Sequence, residues 1–122
     1  MKHYDAIVLG TGGAGSSALY HLATRGLSVL GLDRFDAGHD RGSSHGHTRI
    51  IRKAYYEHPD YVPLLQRAYQ LWEQLQQASG KSIYVPAGLL SVGPPTGSII
   101  QGIQASAREH RLPLEQLTAK EV

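Results

Sequence analysis

An apolar run that ends in a cluster of glycines is the feature that most constrains the fold of this 122-residue chain. Tyr4 to Leu9 is predicted to be a strand in a buried parallel sheet from its nearly continuous apolar character, and a glycine-rich turn, Gly10–Gly15, follows directly. A strand, a glycine turn and a helix in this order build the pyrophosphate site of a dinucleotide in a doubly wound α/β sheet. The sequence therefore predicts an N-terminal βαβ unit.

The positions of the glycine turn have separate physical tasks in such a site. Gly10 permits the sharp turn out of the strand, Gly12 lets backbone N–H groups approach a phosphate, and Gly15 lets the helix pack close to the strand. The helix N-terminus adds free N–H donors and a partial positive charge. The phosphate-binding candidates are therefore the residues of the turn: Gly10, Thr11, Gly12, Gly13, Ala14 and Gly15.

The helix is predicted from Gly13 to about Arg25, and a second strand from Leu27 to Leu32. Asp33 follows that strand, about 20 residues beyond the turn, where a carboxylate accepts hydrogen bonds from ribose hydroxyls. Arg34 is also a cofactor-binding candidate. The adjacent carboxylate disfavours a 2′-phosphate contact for it, and a plain surface arginine is the alternative. A strand–helix turn without a ligand is the alternative for the whole unit.

Composition excludes several kinds of partner. The formal net charge of only +2 gives no electrostatic basis for binding nucleic acid or an anionic membrane. The chain has no cysteine, and hence no disulfide, thiolate nucleophile or cysteine-based metal site. The first apolar run is too short to be a secretory signal or a membrane span, so a cytoplasmic location is expected.

Two further helices are predicted in the second half of the chain. The first has Asp60 as its N-cap and ends at Gly80, with Trp72 expected in the core, and the second runs from Ser98 to His110. Short strands are predicted at residues 83–85, 88–92 and 112–117.

The last residues, Thr118-Ala-Lys-Glu121, have the pattern of a capping box, which marks the start of a helix. A helix of a single turn is not stable by itself, and a parallel sheet needs more than two strands. We therefore expect the chain to be the N-terminal part of a longer protein.

A second polar segment, Gly42–Tyr56, combines glycine, hydroxyl residues and two arginines. Arg49 and Arg52 carry planar, permanently charged groups that suit a carboxylate or a phosphate. Ile50 and Ile51 favour burial and would draw the arginines partly inward. The segment is either an anion-recognition site near the dinucleotide or a solvated basic face with two core isoleucines, and the residues alone leave both open.

Two other interpretations of this segment are disfavoured. His45 and His47, with His39 nearby, fall short of the three or four convergent ligands that a metal site needs, so no metal is predicted. Tyr55 and Tyr56 beside basic residues are able to stack on single-stranded nucleic acid, but the net charge is low and no nucleic-acid motif is present.

These segments resemble the monomeric sarcosine oxidase and N-methyltryptophan oxidase family, within the glycine/D-amino-acid oxidase-like FAD enzymes. The most specific match is the run Gly-Ser-Ser-His-Gly-His-Thr-Arg-Ile-Ile-Arg at residues 42–52. The glycine turn with Asp33 is shared by many families. The likeness continues from Tyr61 through Trp72 to Gly93, so that it covers essentially the whole chain.

The resemblance implies a Rossmann-like FAD-binding fold and FAD rather than NAD. Residues 1–122 would be the N-terminal part of the FAD-binding domain of a two-domain oxidoreductase, and residues 83–117 would contribute to the start of the substrate domain. The glycine turn would hold the pyrophosphate, and Asp33 the adenosine ribose. The other implied cofactor contacts are Ser43, Ser44 and Thr48 along the flavin, and His45 and Arg49 near the isoalloxazine ring as the catalytic candidates.

The implied reaction oxidises the secondary amine of an amino acid such as sarcosine, with Arg52 paired to the substrate carboxylate. A hydride equivalent passes from the N–C bond to the flavin, the imine hydrolyses, and the electrons reduce oxygen to hydrogen peroxide. The partners are therefore an amino acid or amine and oxygen, and the full-length protein is expected to be a monomer.

The chain also departs from this family. There, a cysteine in the C-terminal half carries FAD covalently, and a second cation in that half holds the substrate. This chain has no cysteine, so we expect it to supply the ADP-binding end of the site and one wall of the substrate pocket, without activity by itself. The alternatives are a non-catalytic or incomplete dinucleotide-binding fragment, or an NAD-linked Rossmann dehydrogenase.

Overall fold

The computed structural model describes residues 2–47 and 49–122, which divide into two compact units, Met1–Arg49 and Ile50–Val122. Within the described residues, no helix combines the length and the apolar character needed to cross a membrane. The regular elements are β1 (Ala6–Leu9), α1 (Gly13–Ala23), β2 (Val29–Leu32), α2 (Tyr61–Ser79) and α3 (Ser98–Glu109).

The first unit contains the βαβ arrangement that the glycine turn predicts. β1 and β2 pair in parallel, with Ala6 opposite Val29 and Leu9 opposite Leu32, and α1 connects them. Both strands begin two residues later than predicted, β1 at Ala6 and β2 at Val29. Before these positions the Ser28 N–H donates to the carboxylate of Asp5, at 2.7 Å, instead of to the strand ladder. The two strands leave apolar side chains uncovered, and Leu9 is 79% exposed.

Two glycines of the turn have the geometry that their predicted tasks require. Gly10 has a φ of 85°, a conformation that side chains with a Cβ rarely adopt. Gly15 lies against β1, where an added Cβ would collide with the carbonyl oxygen of Gly10 and lie 3.3 Å from Cγ1 of Val8. The absence of a side chain at Gly15 therefore sets how closely α1 approaches the strand.

The second unit is built on α2 and α3. Gly80, with a φ of 65°, ends α2 as predicted. Asp60 precedes α2 as predicted, but its side chain makes no capping hydrogen bond, and its Oδ2 lies 3.4 Å from Nδ1 of His58. α3 ends at Glu109, one residue before its predicted end.

Few side chains of the second unit are buried. Val62, Ser106 and Ala107 are the buried residues in the described part of the chain. The prediction that Trp72 lies in a core is wrong for this structure, because Trp72 is 38% exposed. The apolar stripe of α2 on which it lies includes Leu64, which is 68% exposed, so this face of the helix is largely uncovered.

The three short strands predicted after α2 do not form, and residues 83–85, 88–92 and 112–117 have no strand pairing in the structure. Near Ile83 the amide donors have another acceptor. Oε1 of Gln76 accepts hydrogen bonds from the N–H groups of Ile83 and Tyr84, at 3.0 and 3.1 Å. A side chain of α2 thus takes the place of a neighbouring strand.

The predicted capping box is half formed. The Glu121 carboxylate accepts hydrogen bonds from the N–H and the hydroxyl of Thr118, both at 2.7 Å. These bonds lower the pKa of Glu121, the backbone bond being the larger cause. Residues 118–122 form a turn without a helix, so the motif has its acidic half in place and no helical turns after it.

The close approach at Gly15 predicts a position-specific loss of stability. The substitution Gly15→Ala places a Cβ against the Gly10 carbonyl and is expected to lower the free energy of unfolding by about 1–3 kcal/mol. Chemical denaturation followed by circular dichroism measures this change. Ser17→Ala, at an exposed position of the same helix, is the control and is expected to change stability little. Equal denaturation midpoints for the two variants would contradict the tight packing at Gly15.

Candidate functional site

The N-terminus of α1 is open to an anion. Its first helical hydrogen bond joins the Ser16 N–H to the Gly12 carbonyl at 2.9 Å, so the amides before Ser16 have no acceptor within the helix. The first turn contains no acidic residue, and Gly12, the N-cap, provides no capping side chain. The positive end of the helix dipole is therefore not neutralised by a carboxylate of its own first turn.

Ser44, from the loop after β2, reaches this helix end. Its Oγ accepts a hydrogen bond from the Gly13 N–H at 2.9 Å. A Cβ at Gly12 or Gly13 would lie 3.5 or 3.1 Å from the same oxygen. The structure thus brings the serine-containing loop onto the glycine turn, where space for a side chain at Gly13 is tight.

Asp33 joins the end of β2 to the end of β1. Its Oδ2 accepts hydrogen bonds from the N–H and the hydroxyl of Thr11, at 2.6 and 3.0 Å. Its Oδ1 accepts one from the Phe35 N–H at 3.1 Å, with Nε2 of His39 3.6 Å away. These contacts, the Thr11 amide first, lower the pKa of Asp33 from 3.8 to about 2. The carboxylate is therefore charged at neutral pH.

Arg34 does not share in this network. Its guanidinium carbon lies 5.7 Å from the centre of the Phe35 ring, and the guanidinium of Arg41 lies 5.8 Å from the same centre. The side chain thus has an aromatic neighbour, as a surface arginine commonly does.

His45 and Arg49 lie in one turn of the loop. The Nδ1 of His45 lies 2.5 Å from the Gly42 carbonyl oxygen, and Nη1 of Arg49 donates to the His45 carbonyl at 3.1 Å. The structure therefore brings the two catalytic candidates together. Ser43 lies in the same exposed loop, and Thr48 lies outside the described residues. Among the residues described, no group of three or more histidines, cysteines or acids is arranged to hold a metal.

Arg52, in the second unit, lies beside two aromatic rings that stack on each other. Its guanidinium carbon is 4.7 Å from the centre of the Tyr55 ring and 5.3 Å from that of Tyr56, and the ring planes differ by only 13°. One terminal nitrogen, Nη2, lies 3.4 Å from Oε1 of Glu57. The Nε atom is buried, with no hydrogen-bond partner in the part of the chain that the structure describes. Arg52, Tyr55, Tyr56 and Glu57 are together termed the Arg52 cluster.

The hydroxyl of Tyr56 extends the Arg52 cluster. Its hydrogen bond to Glu57, together with the negative charge of that residue, raises the pKa of Tyr56 above its ordinary value. The phenol therefore stays protonated at neutral pH and remains a hydrogen-bond donor to the same carboxylate that faces Arg52.

Sequence reasoning missed the residues that hold the backbone of this cluster. Tyr69 of α2 donates its hydroxyl to the Ile51 carbonyl at 3.0 Å, and Ser106 of α3 donates to the Tyr55 carbonyl. Gly102 of α3 lies against the Tyr56 carbonyl. The sequence offered one signal for these contacts, which is that Gly102 lies within a predicted helix. Glycine is costly in a helix unless close packing requires it.

Comparison of the sequence with known proteins matches the chain to a family. Residues 5–122 match the family model described as FAD dependent oxidoreductase. A monomeric sarcosine oxidase of Streptomyces avermitilis is 47% identical over 119 residues, which cover 98% of this chain and 31% of the relative. An N-methyl-L-tryptophan oxidase of Yersinia pestis (strain Pestoides F) is 41% identical over 119 residues, covering 98% and 32%. The resemblance drawn from the sequence is thereby confirmed, and the chain spans about a third of the length of these relatives.

The hydrogen bonds to Asp33 predict how its titration responds to the loss of one hydroxyl. In Thr11→Val the pKa of Asp33 is expected to rise from about 2 towards 3.8 without reaching it, because both backbone donors remain. NMR of the side-chain carboxyl carbon during an acid titration measures this pKa. Thr24→Val, which removes a hydroxyl bonded only to the His21 carbonyl, is the control.

The sign of the linked stability follows from the lowered pKa. The hydrogen bonds to Asp33 contribute stability that is fully present above pH 3.8 and is lost as the pH falls through about 2. Thr11→Val should therefore unfold at a higher pH on acidification than the Thr24→Val control. An unchanged Asp33 titration in Thr11→Val would contradict the role of this hydroxyl.

Proposed function

The chain belongs to the family of FAD-dependent oxidoreductases, and we propose that it supplies the ADP-binding end of the FAD site and one wall of the substrate pocket in an oxidase of secondary amino acids. FAD as the cofactor follows from the family. The observation that carries the proposal is a charged Asp33 hydrogen-bonded to the glycine turn, beside an open helix N-terminus. The chain spans about a third of its relatives, so the activity of the whole protein is part of the proposal.

The first unit fits the ADP portion of FAD. The Gly13 amide already has an oxygen acceptor, the Ser44 hydroxyl at 2.9 Å, which stands in for a phosphate oxygen. The next amides of α1 precede the first helical hydrogen bond and have the same donor character. The pyrophosphate would be held there, and the ribose hydroxyls by Asp33, whose Oδ1 keeps acceptor capacity beyond its bond to Phe35.

The loop with His45 and Arg49 suits the reacting end of the cofactor. FAD, when bound, would supply the electron acceptor for oxidation of the amine, with oxygen as the proposed final acceptor and hydrogen peroxide as the product. Arg49 uses one of its five N–H donors on the His45 carbonyl, so it retains donors and a permanent charge for stabilising negative charge on the ring. Ser43 and Thr48 remain proposed flavin contacts.

Arg52 is proposed to hold the carboxylate of the substrate. The two neighbouring tyrosine rings restrict its guanidinium group, whose planar donors suit a carboxylate in a bidentate geometry. Its present partner, Glu57, is half exposed and 3.4 Å away, and ion pairs of this kind contribute little stability. A substrate carboxylate is therefore able to compete with Glu57 for Arg52.

The substrate class proposed is an amino acid with a secondary amine, such as sarcosine or another N-methyl amino acid. The names of the relatives, monomeric sarcosine oxidase and N-methyl-L-tryptophan oxidase, support this choice. A monomeric full-length protein, a cytoplasmic location and a contribution of residues 83–117 to the start of a substrate domain are further parts of the proposal.

We propose, as a second possibility, that these 122 residues by themselves are an incomplete dinucleotide-binding fragment without activity. The exposure of large apolar side chains favours this, since Leu9 is 79% and Val92 84% exposed. Flavin titration of the 122-residue chain distinguishes the two states. Tight binding together with cooperative unfolding would exclude an incomplete fold.

The phosphate site predicts selective loss of the cofactor. Gly12→Val places a side chain beside the amides of α1 and is expected to weaken FAD binding at least about tenfold, because a phosphate loses its close approach to the backbone. Titration followed by flavin fluorescence measures the affinity. Ala23→Val, at the exposed other end of α1, is the control for the added volume. Normal FAD affinity in Gly12→Val would contradict this position for the pyrophosphate.

The proposed reaction predicts that a substitution at Arg52 weakens substrate binding and leaves flavin binding unchanged. The full-length flavoprotein is expected to form peroxide with sarcosine, and Arg52→Gln should raise KM about 10- to 100-fold, since a hydrogen-bonded charge is lost. Flavin content should remain unchanged. Arg67→Gln, on the exposed face of α2, is the control. A colourless, peroxide-silent wild type would refute the function, whereas equal loss of flavin and substrate would assign Arg52 to the fold or the cofactor.

A further inference from the structure

We propose that helix α3 determines the orientation of Arg52, with Ser106 and Gly102 as positioning residues for the carboxylate site. This inference rests on the proposed role of Arg52 in binding a substrate carboxylate. The hydrogen bonds of the described residues join Ser106 to the Tyr55 carbonyl and the Arg52 guanidinium to Glu57, so Ser106 and Arg52 are not bonded to each other. Ser106 and Gly102 both act through the backbone of Tyr55 and Tyr56, whose rings lie beside the guanidinium group.

Ser106 is buried and makes a hydrogen bond to a residue that is distant in the sequence. Its exposure is 0%, and its hydroxyl donates to the carbonyl of Tyr55, 51 positions earlier in the chain. A buried hydroxyl without a partner is costly, so this bond is needed by the serine as well as by the carbonyl. The position of the Tyr55 peptide relative to α3 is thereby fixed.

Gly102 fixes the next peptide. It lies four residues before Ser106 and hence on the same face of α3. A Cβ at this position would collide with the Tyr56 carbonyl. Glycine inside a helix costs about 1 kcal/mol relative to alanine, and this close approach explains its presence. One face of α3 therefore receives two consecutive carbonyl groups.

The two carbonyls belong to Tyr55 and Tyr56, and the rings of these residues lie near the guanidinium group of Arg52. The ring centres lie 4.7 and 5.3 Å from the guanidinium carbon, so a shift of the Tyr55–Tyr56 backbone moves both rings beside which the guanidinium lies. Arg52 Nε has no hydrogen-bond partner among the described residues and adds no restraint of its own. On the other side, the Tyr69 hydroxyl of α2 holds the Ile51 carbonyl at 3.0 Å.

Arg52 thus lies on a short segment held at both ends by helices. α2 fixes the peptide that precedes it, and α3 fixes the two peptides that follow. In this arrangement Ser106 affects carboxylate affinity through the geometry of Arg52, and it leaves the FAD contacts in the first unit unaffected.

The test uses the full-length, FAD-loaded protein and (methylthio)acetate, in which a thioether sulfur replaces the amine of sarcosine. Its dissociation constant is measured from the perturbation of flavin absorbance. Ser106→Ala is expected to weaken binding about three- to tenfold, which lies within the coupling seen between residues of one network. Ser98→Ala, the same substitution at the exposed start of α3, is the control and should leave affinity unchanged.

Two comparisons separate positioning of Arg52 from a general effect on the fold. Binding of the uncharged (methylthio)acetamide should respond equally little to Ser106→Ala and to Ser98→Ala. In an Arg52→Gln background, Ser106→Ala should have no further effect on carboxylate affinity, because its route of action is already removed. Additive effects of the two substitutions would overturn the inference.

The remaining outcomes also decide the matter. Failure of the wild-type flavoprotein to bind (methylthio)acetate would refute the proposed function itself, whereas binding that Ser106→Ala leaves unchanged would refute only the role of α3. If Ser106→Ala loses flavin, Ser106→Cys is measured in its place. Cysteine keeps a side chain of similar size with a weaker donor, so it is expected to weaken (methylthio)acetate binding by less than the roughly three- to tenfold expected for Ser106→Ala. Wild-type affinity in Ser106→Cys, or loss of flavin in both variants, would assign Ser106 to the fold and overturn the proposal.

Discussion

The hydrogen bonds between the Asp33 carboxylate and Thr11 are the interaction on which the first unit depends. They connect the residues that follow two neighbouring parallel strands, at the edge of the sheet where such folds bind their ligands. Since the Thr11 amide is the main cause of the lowered pKa, the glycine turn itself keeps the acid ionised. The same contact therefore maintains the local fold and keeps the carboxylate charged, as the proposed ribose contact requires.

The proposed sites of the two units differ in the source of their positive charge. In the first unit, positive potential comes from backbone amides at the start of α1, and glycines keep that surface free of side chains. In the second, it comes from the guanidinium of Arg52, whose direction is restrained by tyrosine rings. Backbone amides suit a phosphate that approaches closely, whereas a side chain with an exchangeable partner suits a substrate that must be released.

The sequence predicted those parts of the structure that depend on local physical rules. The glycine turn indicated the βαβ unit, and Gly80 marked the end of α2, because backbone conformations at glycine are determined within a few residues. The strand predicted at residues 83–85 failed since a distant side chain, Gln76, took its amide donors. The exposure of Trp72 was equally unpredictable from the local sequence pattern, because burial of a helix face depends on which other elements cover it.

The site was predictable to a similar extent. Asp33 and the glycine turn came from their spacing, and residues 42–52 from their likeness to a family. The contact of Ser106 with Tyr55 was not predictable, because the two residues lie 51 positions apart. No local pattern in α3 distinguishes Ser106 from the other serine of the helix. Tyr69 was missed for the same reason, as its hydroxyl bonds to a main-chain carbonyl that any residue at position 51 would offer.

The uncovered strands of the first unit have a consequence for handling the protein. Within the described residues the sheet consists of β1 and β2 alone, so each strand has an edge of backbone donors and acceptors without a neighbouring strand. Leu9 and Leu32, at the ends of these strands, are 79% and 47% exposed. Exposed strand edges with apolar side chains are templates for pairing between molecules. Self-association through these edges is therefore the expected difficulty in studying these 122 residues on their own.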